Sequence, residues 1–133
     1  MKLLNSYQLN EGPYVLALEM PFYDCNLKID TLNKRKSFLH QLLLAVSHCH
    51  SNSIIHFDIK PRNVLSRIID GKLEVVLTDF DASATIGETP LVGTLEYLSP
   101  EFLELKQEQI GTAVDIWAIG ILFAEQVSFM RFD

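Results

Sequence analysis

Three residue types with chemistry to offer sit within one short stretch: Asp58, Lys60 and Asn63, a carboxylate, an ammonium and a carboxamide. The stretch runs His56-Phe57-Asp58-Ile59-Lys60-Pro61-Arg62-Asn63, with Ile54-Ile55 leading in and Val64-Leu65 leading out. Pro61 lacks a backbone N–H and Asn63 favours turns, so a continuous helix or strand is disfavoured here. The polar groups are therefore expected on a loop pinned at both ends by buried strands. Loops held by rigid flanks are where catalytic groups concentrate.

A fourth residue follows from chain geometry. Asp70-Gly71 separates two apolar runs, 64–69 and 73–78. Asp-Gly favours a two-residue hairpin turn, because both central positions of a type I′ turn take positive φ. A hairpin returns the chain to where it began, which predicts that Asp79 lies near Asn63. A carboxylate and an amide oxygen converging there suit a hard cation such as Mg²⁺, with phosphate oxygens and water completing its shell. Asp58 is then free to accept a proton from an incoming hydroxyl. Lys60 can neutralise charge on a transferring phosphoryl group. Taken singly, each residue has a plainer reading as a turn former or cap. Those readings leave the joint spacing unexplained.

The remaining chain supplies elements to position these groups. Residues 3–9 and 14–20 read as two strands around the turn cluster Asn10-Glu11-Gly12-Pro13. Residues 22–32 read as a linker, with a helical turn over 26–29. Phe38, Leu42, Val46 and Cys49 recur at helical spacing and predict a helix over 33–51, with Asn33 as N-cap. His48, Cys49 and His50 are read as ordinary surface or core residues, since side chains at i and i+2 of a helix point apart. Residues 82–98 are small, polar and Gly/Thr-rich and read as a long loop. Ser99 and Pro100 then fit the N-cap and first position of a short helix. The span 112–127 reads as a helix, and because its residues 116–123 are apolar on every face it is expected to be central and buried. Together these define an α+β fold.

Composition sets limits. The 133 residues carry 48% hydrophobic and 21% charged side chains, as a globular domain does. The net charge of −6 argues against a general nucleic-acid or anionic-membrane binder. Two cysteines make no disulfide framework, which favours a reducing compartment. The most apolar stretch, 116–124, is too short to cross a bilayer as a helix, which takes roughly 20 residues. An intracellular chain, cytoplasmic or nuclear, is the expectation.

Several motifs in fixed order resemble the eukaryotic protein kinases. The 56–63 octet is similar to the H-R-D-x-K-P-x-N catalytic loop. Asp79-Phe80-Asp81 resembles D-F-G, Gly93-Thr94 with Tyr97 resembles G-T-x-x-Y, and Ser99-Pro100-Glu101 resembles A-P-E. Asp115-x-Trp117-x-x-Gly120 resembles the D-x-W-x-x-G of the central large-lobe helix, and 16–20 the hinge strand.

The resemblance implies a protein-kinase-like fold, mostly the helical large lobe with the last small-lobe strands. Residues 1–20 would be the end of the small lobe and the hinge, and 21–133 a truncated large lobe. It implies ATP- and Mg²⁺-dependent phosphoryl transfer to a protein Ser/Thr hydroxyl, Lys60 marking the Ser/Thr form. Asp58 would orient and deprotonate the hydroxyl, and Lys60 would contact the γ-phosphate. Asn63 and Asp79 would hold Mg²⁺, and Thr94 would support Asp58. Leu18, Glu19 and Met20 would border adenine, with Val64 and Leu65 beneath it. Asp115 would brace the loop's backbone.

The departures imply more. The Gly-rich loop, the ATP-anchoring lysine and the arginine that normally pairs with Glu101 are absent from this chain. Phe57 replaces the arginine that receives activation-loop phosphate, and Asp81 replaces the glycine of D-F-G. The alternative function is therefore a catalytically dead, truncated kinase acting as a binding module. A small-molecule kinase is a weaker third reading, because the motifs at Ser99 and Asp115 belong to the protein-kinase branch.

Overall fold

In a computed structural model, the described residues are 4–8, 16–23, 29–90, 93–104, 106, 108 and 110–128. Strands β1 (Asn5–Gln8) and β2 (Leu16–Glu19) pair antiparallel, with Asn5 opposite Glu19. Helix α1 (Leu32–Ser51) follows, then the two-residue strand β3 (Ile54–Ile55). A 3₁₀ turn over Pro61–Asn63 leads into β4 (Val64–Ile69) and β5 (Lys72–Leu77). Strand β6 (Ala84–Thr85), the short helix α2 (Pro100–Leu103) and helix α3 (Ala113–Ser128) complete the order. The expected helical turn over 26–29 lies largely outside the described residues.

The β4–β5 hairpin pairs Val64 with Leu77 and Ile69 with Lys72. Asp70 and Gly71 both sit at positive φ, 50° and 75°, as a type I′ turn requires. A Cβ on Gly71 would meet nothing within 4 Å. Replacement by valine therefore costs backbone energy alone, about 1–2 kcal/mol for a non-glycine residue held left-handed. Gly71→Val should lower the urea unfolding midpoint accordingly. An unchanged midpoint would mean that the turn contributes nothing to stability.

Two side-chain devices fasten this hairpin. On its surface, the cross-strand pair Arg67–Glu74 closes at 2.6 Å, and the Arg67 guanidinium lies 4.2 Å above the Tyr23 ring. Tyr23 also donates its hydroxyl to Glu74 at 3.2 Å, which ties the segment after Pro21 to the hairpin. From the other side, Gln41 of α1 meets the free edge of β5. Its amide donates to the Leu73 carbonyl at 2.9 Å and accepts from the Val75 N–H at 3.0 Å. A strand edge leaves such groups unpaired, and here a helix side chain satisfies them.

Apolar burial falls into two clusters. The larger joins Phe38, Leu42 and Val46 of α1, Ile59 of the loop, Val64, Val75 and Leu77 of the hairpin, and Ala118, Ile119 and Leu122 of α3. The smaller joins Ile55, Phe57, Phe102 and Val114. The polar loop is thus clamped between two cores, with Ile55, Phe57 and Ile59 all buried.

Three local expectations are corrected, and a fourth is met in position only. The N-cap of α1 is Thr31 rather than Asn33: its Oγ1 accepts from the Lys34 N–H at 3.3 Å. The awkward cation Lys34 at this end is met by Asp30 at 2.9 Å. Residues 82–98 are not wholly loop, because β6 pairs antiparallel with β3 and Leu95–Tyr97 form a 3₁₀ turn. Ser99 is the N-cap of α2 and Pro100 opens the helix, as expected, but the Ser99 side chain makes no cap hydrogen bond and its buried Oγ has no partner. Helix α3 is not buried all round: Val114, Ala118, Ile119 and Leu122 face the interior, but Ile116 is 49% and Trp117 44% exposed. Among the described residues, no helix is long and apolar enough to cross a membrane.

Candidate active site

The site is built outward from Asp115, in the first turn of α3 and 1% exposed. One carboxylate oxygen accepts the His56 backbone N–H at 2.9 Å, and the other accepts that of Phe57 at 3.0 Å. The first oxygen also lies 2.8 Å from His50 Nε2, at the end of α1. A buried charge needs partners, and Asp115 finds three on two separate elements. It thereby fixes the start of the loop, as the sequence led us to expect.

Phe57 sits at a φ of 64°, a left-handed conformation that is strained for a bulky residue. Two contacts over-determine it: the Asp115 bond and the packing of its ring 6.0 Å from that of Phe102. Where the resembled motif carries a cation, this chain carries a buried apolar plug. Next to it, the buried His56 ring stands 3.0 Å from the Thr78 carbonyl through Nε2. A carbonyl only accepts, so Nε2 carries the proton and Nδ1 accepts the Asp58 N–H at 3.3 Å. His56 thus joins the loop to the end of the β4–β5 hairpin.

Asp58 emerges from this frame only partly buried. Thr94 donates to its Oδ1 at 2.7 Å, and Lys60 Nζ lies 2.7 Å from its Oδ2. Lys60 also donates to Thr94 Oγ1 at 2.9 Å, which closes a three-membered polar ring. Partial burial pushes the Asp58 carboxyl upward. Hydrogen bonds from Lys60, Thr94 and Asn63 and the charge of Lys60 outweigh it and hold the group below the usual carboxylate range. Asp58 is therefore ionised at neutral pH.

Asn63 is buried beside it. Its Nδ2 donates to the Asp58 carbonyl at 2.8 Å and to Asp58 Oδ2 at 3.1 Å. Both partners are acceptors, so the amide nitrogen must face them and Oδ1 remains as an acceptor. The Asn63 carbonyl accepts the Thr78 N–H at 2.9 Å, which brings the residue before Asp79 against Asn63 as the hairpin geometry required. Asp79 is exposed and holds a φ of 64°, a second strained position among the loop's neighbours.

The oxygens of Asn63 and Asp79 are of the right kind for Mg²⁺. No cluster of three or more His, Cys, Asp or Glu side chains exists among the described residues. Two protein oxygens suit an ion that keeps waters and shares phosphate oxygens, rather than one enclosed in a protein cage.

The expected nucleotide-bordering residues are less tightly joined to this centre. Leu65 is partly exposed, whereas Val64 belongs to the main core and cannot lie beneath a ligand. Strand alternation separates the two, since neighbouring side chains take opposite faces. Met20 is exposed. Glu19 uses its carboxylate to accept from Tyr7 at 2.6 Å and Asn5 at 2.8 Å, and its carbonyl to accept the Leu4 N–H at 2.8 Å. The substantial contacts of the β1–β2 hairpin, including the backbone at Leu18, run between its own strands. The structure therefore brings Asp58, Lys60, Asn63 and Thr94 into one bonded cluster and leaves Leu18, Glu19 and Met20 outside it.

Two contributors carry no assigned role in the sequence reading. His50 was passed over as an ordinary helix residue, yet it shares Asp115 with the loop. Its signal was its place in the last turn of a helix that runs straight into the octet. Tyr97 is the other: it donates to Glu125 of α3 at 2.8 Å, fixing the segment after Thr94. Burial, with the nearby Glu125 and Glu96 charges, pushes its hydroxyl up to about 12 from the ordinary 10.0. A folded-state value above the unfolded one stabilises below pH 10 and is lost as pH rises toward 12. Stability should accordingly fall across that alkaline window, and Tyr97→Phe should flatten the fall. Equal slopes in pH-dependent urea titrations would show that the Tyr97–Glu125 bond is energetically idle.

A helical body is set against strand hairpins, with this cluster between two apolar cores. The family model "Protein kinase domain" matches residues 19–131, and the chain belongs to that family. Its fold is similar to a chain in the crystal structure of the yeast RNA Pol II CTD kinase CTDK-1 complex, with a TM-score of 0.72 and 26% sequence identity. That match covers 92% of this chain and 43% of the other, so the protein described here spans less than half the length of that relative.

Proposed function

We propose that this chain carries the catalytic loop and metal site of a protein serine/threonine kinase, transferring the γ-phosphoryl group of ATP to a protein hydroxyl with Mg²⁺. The observation that carries the reading is the bonded cluster of Asp58 with Lys60, Thr94 and Asn63. It holds one ionised carboxylate, with a cation beside it and an amide oxygen turned away from it.

Each side chain then has a task. Asp58 accepts the hydroxyl proton as the oxygen attacks, and Thr94 fixes the rotation of its carboxylate. Lys60 offsets negative charge that gathers on the transferring phosphoryl group. Asn63 and Asp79 would hold Mg²⁺, which when bound supplies charge neutralisation to the phosphates. Leu65, with Leu18, Glu19 and Met20, would border the nucleotide base. Ser/Thr specificity rests on Lys60 two residues after the base. We place residues 1–20 at the end of the small lobe and hinge and 21–133 in the large lobe. A cytoplasmic or nuclear setting fits the kinase relative and the lack of a disulfide framework.

The test is transfer of labelled γ-phosphate from Mg·ATP to a mixed Ser/Thr protein acceptor. Label that depends on Asp58 supports the reading. Binding of Mg·ATP or protein without such transfer would instead establish the alternative, a binding module of kinase ancestry.

A further inference from the structure

A groove of about 420 Å³ lies beside the Asp58 cluster, lined by Lys60, Arg62, Thr94, Glu96, Tyr97 and Glu125. Its charges are unequal in their commitments. Lys60 is bonded to Asp58 and Thr94, and Glu125 accepts from Tyr97. Arg62 and Glu96 are exposed, and neither side chain makes a hydrogen bond or ion pair among the described residues. The backbone of Arg62 is also held in place. It occupies the middle of the Pro61–Asn63 turn, between a proline and an asparagine whose amide is bonded to Asp58. An uncommitted guanidinium rooted on a fixed turn beside the Asp58 carboxylate is a cation available to a bound segment, in a chain whose net charge is −6.

We propose that Arg62 reads one acidic side chain flanking the phosphorylated hydroxyl of the protein substrate; this rests on the kinase reading above. A guanidinium fork matches a carboxylate in two parallel hydrogen bonds, which gives geometric selectivity as well as attraction. The unpaired Glu96 carboxylate on the same groove repels a run of acidic residues. The substrate segment therefore carries a single acid at the Arg62 position rather than an acidic tract.

The experiment uses the full chain and a set of serine peptides with Asp, Ala or Lys placed in turn at each flanking position. Phosphorylation is measured as kcat/KM. Binding of the matching peptides with alanine in place of the acceptor serine is measured by fluorescence anisotropy without nucleotide. Wild type should prefer Asp to Ala at one position by roughly two- to fivefold in both readouts, the range for an exposed ion pair. Arg62→Glu should reverse this to a Lys preference at the same position, and Arg62→Lys should keep part of it. No positional Asp preference, or one that survives Arg62→Glu, overturns the proposal. So does a loss confined to ATP affinity, which would assign Arg62 to the nucleotide phosphates. If no peptide is phosphorylated, the kinase reading fails, and the binding ratios still decide the role of Arg62.

Discussion

Asp115→Ala should destabilise the protein by about 2–6 kcal/mol, the cost of leaving two buried backbone donors without an acceptor at roughly 1–3 kcal/mol each. The size follows from what the carboxylate holds. It accepts the N–H groups of His56 and Phe57 and faces His50, all in a site that is 1% exposed. Alanine leaves two backbone donors buried without acceptors. It also frees Phe57, whose φ of 64° is sustained by one of those bonds. Urea unfolding of the variant reads the loss directly. Asp115→Asn should fall between, since its amide keeps one oxygen but presents a donor to a backbone donor. A shift of only a few tenths of a kcal/mol would mean that the two apolar cores hold the loop unaided.

Asp58→Asn should lower phosphoryl transfer by on the order of 10²–10⁴-fold, the usual contribution of a positioned general base. An amide still accepts from Thr94 but cannot take a proton, so the fold and Mg·ATP affinity should persist. The low position of the Asp58 carboxyl adds a pH dependence. A depressed value stabilises the folded protein above the ordinary carboxylate range, and that stability is lost as pH falls through the folded value. Activity should therefore hold from neutral pH down to mildly acid conditions. Full activity in Asp58→Asn would transfer the role of base elsewhere.

Much of this site was legible because its parts are fixed by strong local rules. Asp70-Gly71 demanded a type I′ turn, and that turn alone placed Asp79 near Asn63. Pro61 forced a break that became the 3₁₀ turn. Asp115 was expected to brace the loop and does so. The misses arise where tertiary contacts choose between local options. Thr31 and Asn33 both make good caps, and the helix starts at Leu32, so Thr31 takes the role. Apolar periodicity could not show that Ile116 and Trp117 face outward, because an all-apolar helix carries no internal signal of which side is covered. Ile54-Ile55 and Ala84-Thr85 are too short to announce a pairing between segments so far apart in sequence. His50 looked ordinary because its partner lies on a helix near the other end of the chain.

The most direct measurement is the Mg²⁺ dependence of γ-phosphate transfer to protein, with the phosphorylated residue identified and Asp79→Ala run alongside. The expected result is label on serine or threonine that requires Mg²⁺ and is lost in Asp79→Ala. Label that is indifferent to Mg²⁺ or Asp79, or that appears on tyrosine alone, would contradict the assignment of Asn63 and Asp79 as the metal pair of a serine/threonine kinase.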